Sequence, residues 1–319
     1  MKRKKTSHNL YLGIDGGGTK THAVLIDENK VTLGEGFTGA GNPLRVGVEN
    51  AIKHIFSAIE KATDAADRSK GDIVSAQIGL AGVRREDLRY LIRNRFREIL
   101  RIRKVEVTTD AEIALYAATE GKEGLVIIAG TGSVCMGRNA NDEMASAGGW
   151  GPLAGDEGGG AGIARRALQS IAKSSDGRGS YTKLSDYAVE YFRAGRLEDL
   201  SVAIYAPQVD NARIAGFAKY VSQAANEGDE VALEVLSEAG SELGLAANAV
   251  ISKLKMQRRK FPIGKVGSVF KSEDLITKPL MDKVREIAPK AFMSETQKSP
   301  AYAAALMAFQ NYGRNGVKV

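Results

Sequence analysis

Two short stretches of this chain share one design, and their repetition constrains the fold more than any other feature of the sequence. LGIDGGGTKTHAVLID, at 12–27, and VIIAGTGSVCMG, at 126–137, each place a turn of small residues and hydroxyls between two apolar strands. The second copy begins about 115 residues after the first. Self-similarity of this kind indicates a duplicated structural unit. We therefore expect two related domains, each of which opens with a hairpin.

The pattern around both hairpins predicts an α/β fold. Three consecutive strands are followed by alternating helices and strands, which is typical of a mixed sheet covered by helices. The predicted helices cover about 46–69, 84–104, 111–120, 158–172, 182–194, 211–226, 229–255, 272–287 and 300–312, and later strands cover 72–82, 105–110 and 261–269. The expected organisation is a basic tail at 1–9, an N-terminal domain at 10–119 to which helix 300–312 returns, and a C-terminal domain at 120–299.

The composition is that of a globular protein without a membrane segment. Hydrophobic residues make up 43% of the 319 residues and charged residues 26%, which is ordinary for a soluble domain. No apolar run approaches the roughly 18 residues that a membrane span needs. The basic start, MKRKKTSHN, leads into a glycine-bearing strand and not into an apolar segment that ends in small residues. We therefore expect a cytoplasmic protein with no membrane partner.

The counts of cysteine and histidine limit the metals that this chain can bind. Cys135 is the single cysteine, so an internal disulfide and an iron–sulfur cluster held by the thiolates of one chain are excluded. With only His8, His22 and His54 as histidines, a zinc site with nitrogen and sulfur ligands is not expected. A metal here should be a hard cation bound by oxygen, and Mg²⁺ fits that description.

An excess of basic residues raises the question of a nucleic-acid partner. The formal net charge is +7, and one basic concentration lies at 84–104. Within that stretch Leu88, Ile92 and Phe96 recur at helical spacing, so the arginines are predicted to form the solvated face of a helix with a buried stripe. Stacking aromatics and known base-reading motifs are absent. We therefore expect no nucleic-acid partner.

The glycines of the first hairpin need an explanation, because glycine weakens a strand. A tight turn that requires positive φ is one explanation for Gly16, Gly17 and Gly18. The other is that backbone N–H groups without side chains around them can approach an anion, with the hydroxyls of Thr19 and Thr21 as further donors. The first hairpin by itself leaves both explanations open.

The second hairpin favours anion binding. Gly130 and Gly132 open the backbone there, while Thr131 and Ser133 supply hydroxyls. Two equivalent hairpins from duplicated domains can hold a polyphosphate from both sides of a cleft, and a triphosphate is the expected ligand.

Other nucleotide motifs fit less well. The chain has no G-x-x-x-x-G-K-[ST]. GEGFTG at 34–39 lies at the end of a strand and leads into AGNP, which would delay a helix.

Several motifs, taken in their order along the chain, resemble those of one superfamily. They are GIDGGGTKT, IGLAG, TTDAEIAL, IIAGTGS, GGWGPLAGDEGGGAGIARRAL and VGSVFKS, which together span residues 10 to about 310. In these motifs the chain resembles the actin, sugar kinase and Hsp70 superfamily, and within it the N-acetylglucosamine kinases and the BadF/BadG/BcrA/BcrD ATPase family. The resemblance implies a duplicated actin-like (ribonuclease H-like) α/β fold with two domains around a nucleotide cleft.

The resemblance implies a kinase that transfers phosphate from ATP, with Mg²⁺, to a hydroxyl of an amino sugar. N-acetylglucosamine, converted to N-acetylglucosamine 6-phosphate, is the expected acceptor. Glucosamine, glucose, N-acetylmuramate and 2-keto-3-deoxygluconate remain alternatives, because no motif separates them. An ATPase that activates a reductase is a further alternative, although such proteins need cluster-binding cysteines. A sugar-sensing repressor would need a DNA-binding module, and only about nine residues precede the first strand. A homodimer is compatible with the resemblance.

The resemblance also implies roles for individual residues. Asp110 in TTDA is the expected base that accepts the proton of the sugar hydroxyl, and Asp15 is placed to organise Mg²⁺. The expected sugar contacts are Asn42, Asp110, Gly149, Trp150 and Asp156. The expected nucleotide contacts are Gly16, Gly17, Gly18, Thr19, Lys20, Gly130, Thr131, Gly132, Ser133, Ala215 and Gly267.

Local structure offers simpler explanations for four of these polar residues. Asp15 is also explained as a turn aspartate bonded to its own backbone, Asp110 and Asp156 as helix N-caps, and Asn42 as part of an Asn-Pro turn. One departure from the family pattern occurs late in the chain. Ala303 in SPAYAAALMA stands where the family often carries glycine, so the close packing of this segment lacks its usual glycine.

Overall fold

The chain folds into two compact units. The computed structural model describes residues 9–295 and 298–314. Residues 9–121 and 298–314 make up unit 1, and Lys122–Glu295 makes up unit 2. The predicted basic tail at 1–9 lies outside the described residues, apart from Asn9. No helix in the part of the chain that the structure describes is long and apolar enough to cross a membrane.

The elements follow one another in the order that the sequence predicts, with a few additions. The strands are β1 Leu10–Gly16, β2 Thr21–Ile26, β3 Thr32–Thr38, β4 Ile73–Leu80, β5 Val105–Thr109, β6 Gly124–Ala129, β7 Ser133–Arg138, β8 Met144–Gly148, β9 Pro262–Val266 and β10 Phe292–Ser294. The α-helices are α1 Pro43–Val46, α2 Val48–Ala65, α3 Glu86–Leu100, α4 Asp110–Thr119, α5 Gly160–Ser175, α6 Leu184–Phe192, α7 Leu200–Ile204, α8 Asn211–Gly216, α9 Ala218–Asn226, α10 Glu230–Lys253, α11 Asp274–Arg285 and α12 Pro300–Arg314.

Each unit is built on a five-stranded mixed sheet, and the two sheets have the same topology. In unit 1 the order is β3-β2-β1-β4-β5, with β1 to β3 antiparallel and β4 and β5 parallel to β1. In unit 2 the order is β10-β9-β6-β7-β8, with β6 to β8 antiparallel and β9 and β10 parallel to β6. The duplicated α/β fold is therefore confirmed, and the β1-β2 hairpin corresponds to the β6-β7 hairpin.

Glycines in β3 let α2 lie directly on the sheet of unit 1. A Cβ at Gly34 would lie 2.2 Å from the carbonyl oxygen of Ala62, and one at Gly36 would lie 2.1 Å from that of Ala58. Any side chain at these positions would push the helix away. This contact gives the GEGFTG stretch a packing role.

The last helix, α12, lies equally close to β1. A Cβ at Gly13 would lie 2.1 Å from the carbonyl oxygen of Ala301 and 2.2 Å from the nitrogen of Ala305. Ala303 is fully buried and belongs to the same cluster of small and aromatic residues. The helix packs closely with Ala303 in this segment, because Gly13 in the strand leaves room for the helix backbone.

Helix α3 confirms the prediction for the basic stretch. Ile92, Phe96 and Leu100 are buried on one face. On the other face arginines form ion pairs with Glu86 and Glu106. Much of the positive charge of this stretch is therefore compensated locally.

Two details differ from the sequence prediction. The helix predicted at 211–226 is divided into α8 and α9, because the Phe217 N–H donates to Ile214 at 3.0 Å, an i−3 bond that tightens the turn. The short helices α1 and α7 and the three-residue strand β10 are additions. Elements of this length show no hydrophobic period that a sequence pattern could reveal.

Candidate active site

The turn between β1 and β2, residues 17–20, forms the first candidate binding loop. The Gly17 N–H donates to the carbonyl oxygen of Lys20 at 2.9 Å and closes the turn. The N–H groups of Gly18, Thr19 and Lys20 donate to no acceptor within residues 9–295 and 298–314. Backbone N–H groups grouped in this way form an anion-binding arrangement.

Backbone conformation does not explain the glycines of either loop. None of the glycines at 16–18, 130 and 132 has a positive φ, so the tight-turn explanation is wrong for them. Packing explains Gly16, where a Cβ would lie 2.4 Å from Leu80. At Gly17 the nearest atom would be 3.6 Å away, and at Gly130 a Cβ would meet no described atom within 4 Å. Neither fold nor packing requires glycine at these two positions, which favours an approaching ligand.

Thr21 does not supply the donor that the sequence suggested. Its side chain is fully buried, and its hydroxyl donates to the carbonyl oxygen of Gly39 at 2.8 Å. It therefore fastens β2 to the end of β3. The exposed hydroxyl of the loop is that of Thr19.

Two carboxylates lie next to the first loop, at the carboxyl ends of parallel strands. Asp15 lies near the end of β1, and Asp110 follows β5. Burial raises the pKa of Asp15 to about 6, together with the negative charge of Asp110, while Lys20 acts in the opposite direction. Burial also raises the pKa of Asp110, against the Ala111 N–H and the charge of Arg84. Raised carboxylate pKa values of this kind are typical of groups that exchange protons near neutral pH.

The simpler explanations for Asp15 and Asp110 are both wrong. The carboxylate of Asp15 accepts no hydrogen bond from a described residue, so it is not a turn aspartate bonded to its own backbone. The N-cap of α4 is Thr109, which forms a capping box with Glu112. Asp110 is the first residue of the helix, and its Oδ1 accepts the Ala111 N–H at 2.9 Å.

Asn42 ties the segment after β3 to the first loop. Its Oδ1 accepts the Leu44 N–H at 2.9 Å and caps the short helix α1. The N–H groups of Gly41 and Asn42 both donate to the carbonyl oxygen of Gly17, at 3.0 and 3.1 Å. The Asn-Pro turn therefore explains the role of the side-chain oxygen of Asn42, which accepts the Leu44 N–H. Its amide NH₂ group has no acceptor in the described part of the chain.

The second candidate loop joins β6 and β7 in unit 2. The Gly130 N–H donates to Gly132 at 2.9 Å and closes the turn. The first N–H groups of α5, those of Gly160 and Ala161, donate to the carbonyl oxygens of Gly130 and Thr131 at 2.8 and 2.9 Å. The N–H groups of Thr131 and Gly132 find no acceptor among the described residues. This loop therefore offers amides to an anion as the first loop does.

Asp156 supports the second loop from behind. It is buried, has a φ of +60° and accepts the Ser133 N–H at 3.1 Å. A Cβ at Gly132 would lie 2.3 Å from its Oδ2. The N-cap of α5 is Gly159, so the N-cap explanation for Asp156 is wrong. The structure brings Asp156 together with Gly132 and Ser133, a contact that the sequence did not reveal.

A cavity of about 740 Å³ lies beside the second loop. Its lining includes Gly160, Ala215, Ser222, Gln223, Asn226 and Ser272. Gly267 directly precedes Ser268, which also lines the cavity. Gly267 has a φ of +117°, and a Cβ there would lie 2.2 Å from the carbonyl oxygen of Ala129. Gly267 therefore packs against Ala129 and Gly130, and Ala215 lies beside Gly160, whose N–H donates to Gly130.

The loop after β8 exposes an aromatic side chain. Trp150 is 80% exposed, and Gly148, Gly149 and Gly151 have positive φ. These glycines give the segment a conformation that other residues rarely adopt. Within unit 2 the Trp150 ring is therefore available to a ligand.

The two carboxylates fit a magnesium ion. No group of three or more His, Cys, Asp or Glu side chains converges as a metal site within the described ranges. Mg²⁺ is usually held by one or two carboxylates, water and substrate phosphates, so a larger cluster is not needed. Burial and the charge of Asp110 together raise the pKa of Asp15. A cation beside Asp15 would compensate this unfavourable charge.

One cation near the first loop escaped the sequence-based prediction. The Arg45 Nη1 atom lies 3.3 Å from the position that a Cβ at Gly18 would occupy. Arg45 follows the Asn-Pro turn in GNPLRV and belongs to none of the motifs. Only the folded position of α1 reveals its place.

The sequence matches one family over most of its length. The model of the BadF/BadG/BcrA/BcrD ATPase family matches residues 12–308. An N-acetylmuramic acid/N-acetylglucosamine kinase from Clostridium acetobutylicum is 32% identical over 93% of this chain and 97% of its own length. An N-acetyl-D-glucosamine kinase from Dictyostelium discoideum is 30% identical over 96% of this chain and 99% of its own length.

A solved structure shows the same fold. A Chromobacterium violaceum protein, solved as a candidate N-acetylglucosamine kinase, superimposes with a TM-score of 0.78. The alignment covers 95% of this chain and 99% of that protein, at 23% sequence identity. At this identity the likeness establishes the common fold.

Proposed function

The chain belongs to the BadF/BadG/BcrA/BcrD ATPase family, and we propose that it is an ATP-dependent kinase that phosphorylates a hydroxyl of an amino sugar. N-acetylglucosamine is the proposed acceptor and N-acetylglucosamine 6-phosphate the product. Two curated relatives that match nearly the whole chain bear names of amino-sugar kinases. Within this proposal the enzyme works in the cytoplasm, where ATP is available.

The single observation that carries the proposal is the pair of carboxylates beside the first glycine loop. Asp15 accepts no hydrogen bond from a described residue, Asp110 is not the N-cap of α4, and burial raises the pKa of both. A kinase of small alcohols needs a general base for the acceptor hydroxyl and a carboxylate for the metal. We assign the base to Asp110, which would accept the hydroxyl proton on its carboxylate.

Mg²⁺ would be held by Asp15 together with water and the phosphates of the nucleotide. When bound, it supplies charge neutralisation at the terminal phosphates. The chain's own contribution is positional. In unit 1 the amides of Gly18, Thr19 and Lys20 would hold phosphate oxygens, with the Thr19 hydroxyl as a further donor. In unit 2 the amides of Thr131 and Gly132 would do the same, with the hydroxyls of Thr131 and Ser133 as further donors.

The cavity in unit 2 is the proposed adenosine pocket. At about 740 Å³ it has the size of a ligand pocket for a nucleoside. Small residues form its wall at Ala215 and beside Gly267. Its polar side chains include Gln223 and Asn226. Fixed polar groups of this kind set the orientation of a ligand in an otherwise apolar pocket.

We propose that Asn42 and Asp110 are the sugar contacts of unit 1, and that Gly149 and Trp150 are those of unit 2. The NH₂ group of Asn42 and the exposed ring of Trp150 have no other duty among the described residues. Asp156 holds the Ser133 amide, so its contribution to the sugar would be made by the oxygen that remains.

The decisive experiment is a coupled assay of ADP release with a panel of amino sugars, neutral sugars and sugar acids. We expect release that depends on N-acetylglucosamine. Asp110→Asn should lower kcat by about 10²-fold to 10⁴-fold, which is the usual contribution of a general base, while ATP binding is retained. ATP hydrolysis that is independent of sugar, or near-normal turnover of Asp110→Asn, would contradict the proposal.

N-acetylmuramate is the second candidate acceptor. The Clostridium acetobutylicum relative is named for it. Burial raises the pKa of Asp110, and the positive charge of Arg84 lies near enough to oppose this rise. A cation beside the base would attract the carboxylate of this sugar. Arg84→Met would then raise KM for N-acetylmuramate more than KM for N-acetylglucosamine.

A further inference from the structure

Arg45 occupies a position beside the first glycine loop that ordinary surface arginines do not share. Its Nη1 atom lies 3.3 Å, and its Cδ atom 3.9 Å, from the position that a Cβ at Gly18 would occupy. Gly18 begins the run of loop amides that lack an acceptor in the described chain. The guanidinium and these amides are therefore neighbours on one surface of unit 1.

The backbone of Arg45 is held in place by the loop itself. Arg45 lies in α1, which Asn42 caps, and the N–H groups of Gly41 and Asn42 donate to Gly17. A Cβ at Gly82 would lie 2.4 Å from the Asn42 Oδ1, so the segment also packs against the turn after β4. The first loop and the helix that carries Arg45 therefore form one connected substructure.

The charge of Arg45 is not compensated within the described residues. Its guanidinium forms neither an ion pair nor a hydrogen bond with any of them. Other exposed arginines of the chain, such as Arg85 with Asp87 and Arg178 with Asp176, hold a carboxylate. Lys20, in the loop, adds a second positive charge nearby. Two cations beside unpaired amides form a site for an anion that carries several charges.

We propose that Arg45 binds the terminal phosphates of the nucleotide at the first loop and thereby selects nucleoside triphosphates. The inference rests on the proposed kinase function. The loop that Arg45 adjoins also follows Asp15, and Asp110 lies near it, so the phosphates held here are those next to the transfer reaction. A planar guanidinium forms paired hydrogen bonds to phosphate oxygens, and this interaction strengthens as negative charge moves during transfer.

The test separates the charge of Arg45 from its packing. Arg45→Met keeps a stem of similar length over Gly18 and removes the charge, whereas Arg45→Lys keeps the charge. Arg68→Met is the matched control, because Arg68 is an exposed arginine of unit 1 whose guanidinium, among the described residues, donates only to the carbonyl oxygen of Asp67. Binding of ATP, ADP and AMP is measured by calorimetry with Mg²⁺ and without sugar, and kcat and KM for ATP are measured with sugar.

Arg45→Met should weaken ATP binding by about 10-fold to 100-fold, the loss expected for a charged hydrogen bond, and leave AMP binding unchanged. Arg45→Lys should restore most of the ATP affinity, and Arg68→Met should behave as the wild type. An equal loss for ATP and AMP would show a structural role and overturn the inference, as would wild-type ATP affinity in Arg45→Met. Wild-type protein that binds no ATP would refute the kinase function instead, so the two failures are distinguishable.

Discussion

Replacing Asp15 by asparagine should stabilise the protein while it abolishes activity. Burial and the charge of Asp110 raise the pKa of Asp15 from the usual 3.8 to about 6. The folded chain then binds more protons at this site than the unfolded chain between pH 4 and 6. A group with a raised folded pKa contributes stability that is complete below its unfolded pKa and is lost as pH rises through the folded value. The uncharged amide of the Asp15→Asn variant would carry no such penalty.

The magnitude follows from the raised pKa. A change from 3.8 to about 6 corresponds to about 3 kcal/mol of unfolding free energy. Because the Asp15 side chain is partly exposed, solvent reduces this value, and we expect about 1 to 3 kcal/mol. Asp15→Asn should therefore match the wild type below pH 4 and exceed its stability by this amount above pH 6.

The assay is urea unfolding of both proteins from pH 4 to 8, with a chelator and without nucleotide. Asp64→Asn, a change to an exposed carboxylate of the same unit, serves as the control. Adding Mg²⁺ and ATP should stabilise the wild type and reverse the order of the two proteins. An Asp15→Asn variant that is equally or less stable at pH 8, with no dependence of the difference on pH, would refute the reasoning.

Two further changes probe the glycines that the fold does and does not need. Gly130→Ala should leave the unfolding free energy within about 0.5 kcal/mol of the wild type, because the new methyl group would meet no described atom within 4 Å. The same variant should bind ATP more weakly in calorimetry, and an unchanged ATP affinity would contradict a role of the second loop in binding. Gly13→Ala should cost about 1 to 3 kcal/mol or more in urea unfolding, because its Cβ would lie 2.1 Å from the Ala301 carbonyl oxygen. Gly71→Ala, where the nearest contact would be 3.5 Å away, is the control for Gly13, and equal stability of the two variants would contradict the packing argument.

The sequence was sufficient for the duplication, the element order and the position of the loops. Hydrophobic period and turn residues are local properties, and they persist in both halves of the chain. The glycine loops were recognisable because small residues and hydroxyls recur between apolar strands in GIDGGGTKT and IIAGTGS. The buried stripe of α3 was recognisable for the same reason.

For some residues the sequence did not decide between two roles, helix capping and ligand binding. Asp110 and Asp156 each precede or begin a helix, and sequence alone could not decide which residue caps it. The structure gives the cap of α4 to Thr109 and that of α5 to Gly159. The sign of φ at the loop glycines was equally open, because glycine adopts either sign at little cost.

Contacts between distant segments were decided by tertiary structure alone. Asp156 accepts the N–H of Ser133, which lies 23 residues away in the sequence. Helix α12, near the other end of the chain, packs against Gly13. Arg45 lies beside Gly18 because the segment that carries α1 is hydrogen-bonded to the first loop. Such contacts depend on how strands order in a sheet and where helices pack, and no local pattern records them. The sequence by itself therefore determined that this chain has two equivalent glycine loops on a repeated fold. The tertiary structure decided which of its charged residues are engaged in holding those loops and which remain for a ligand.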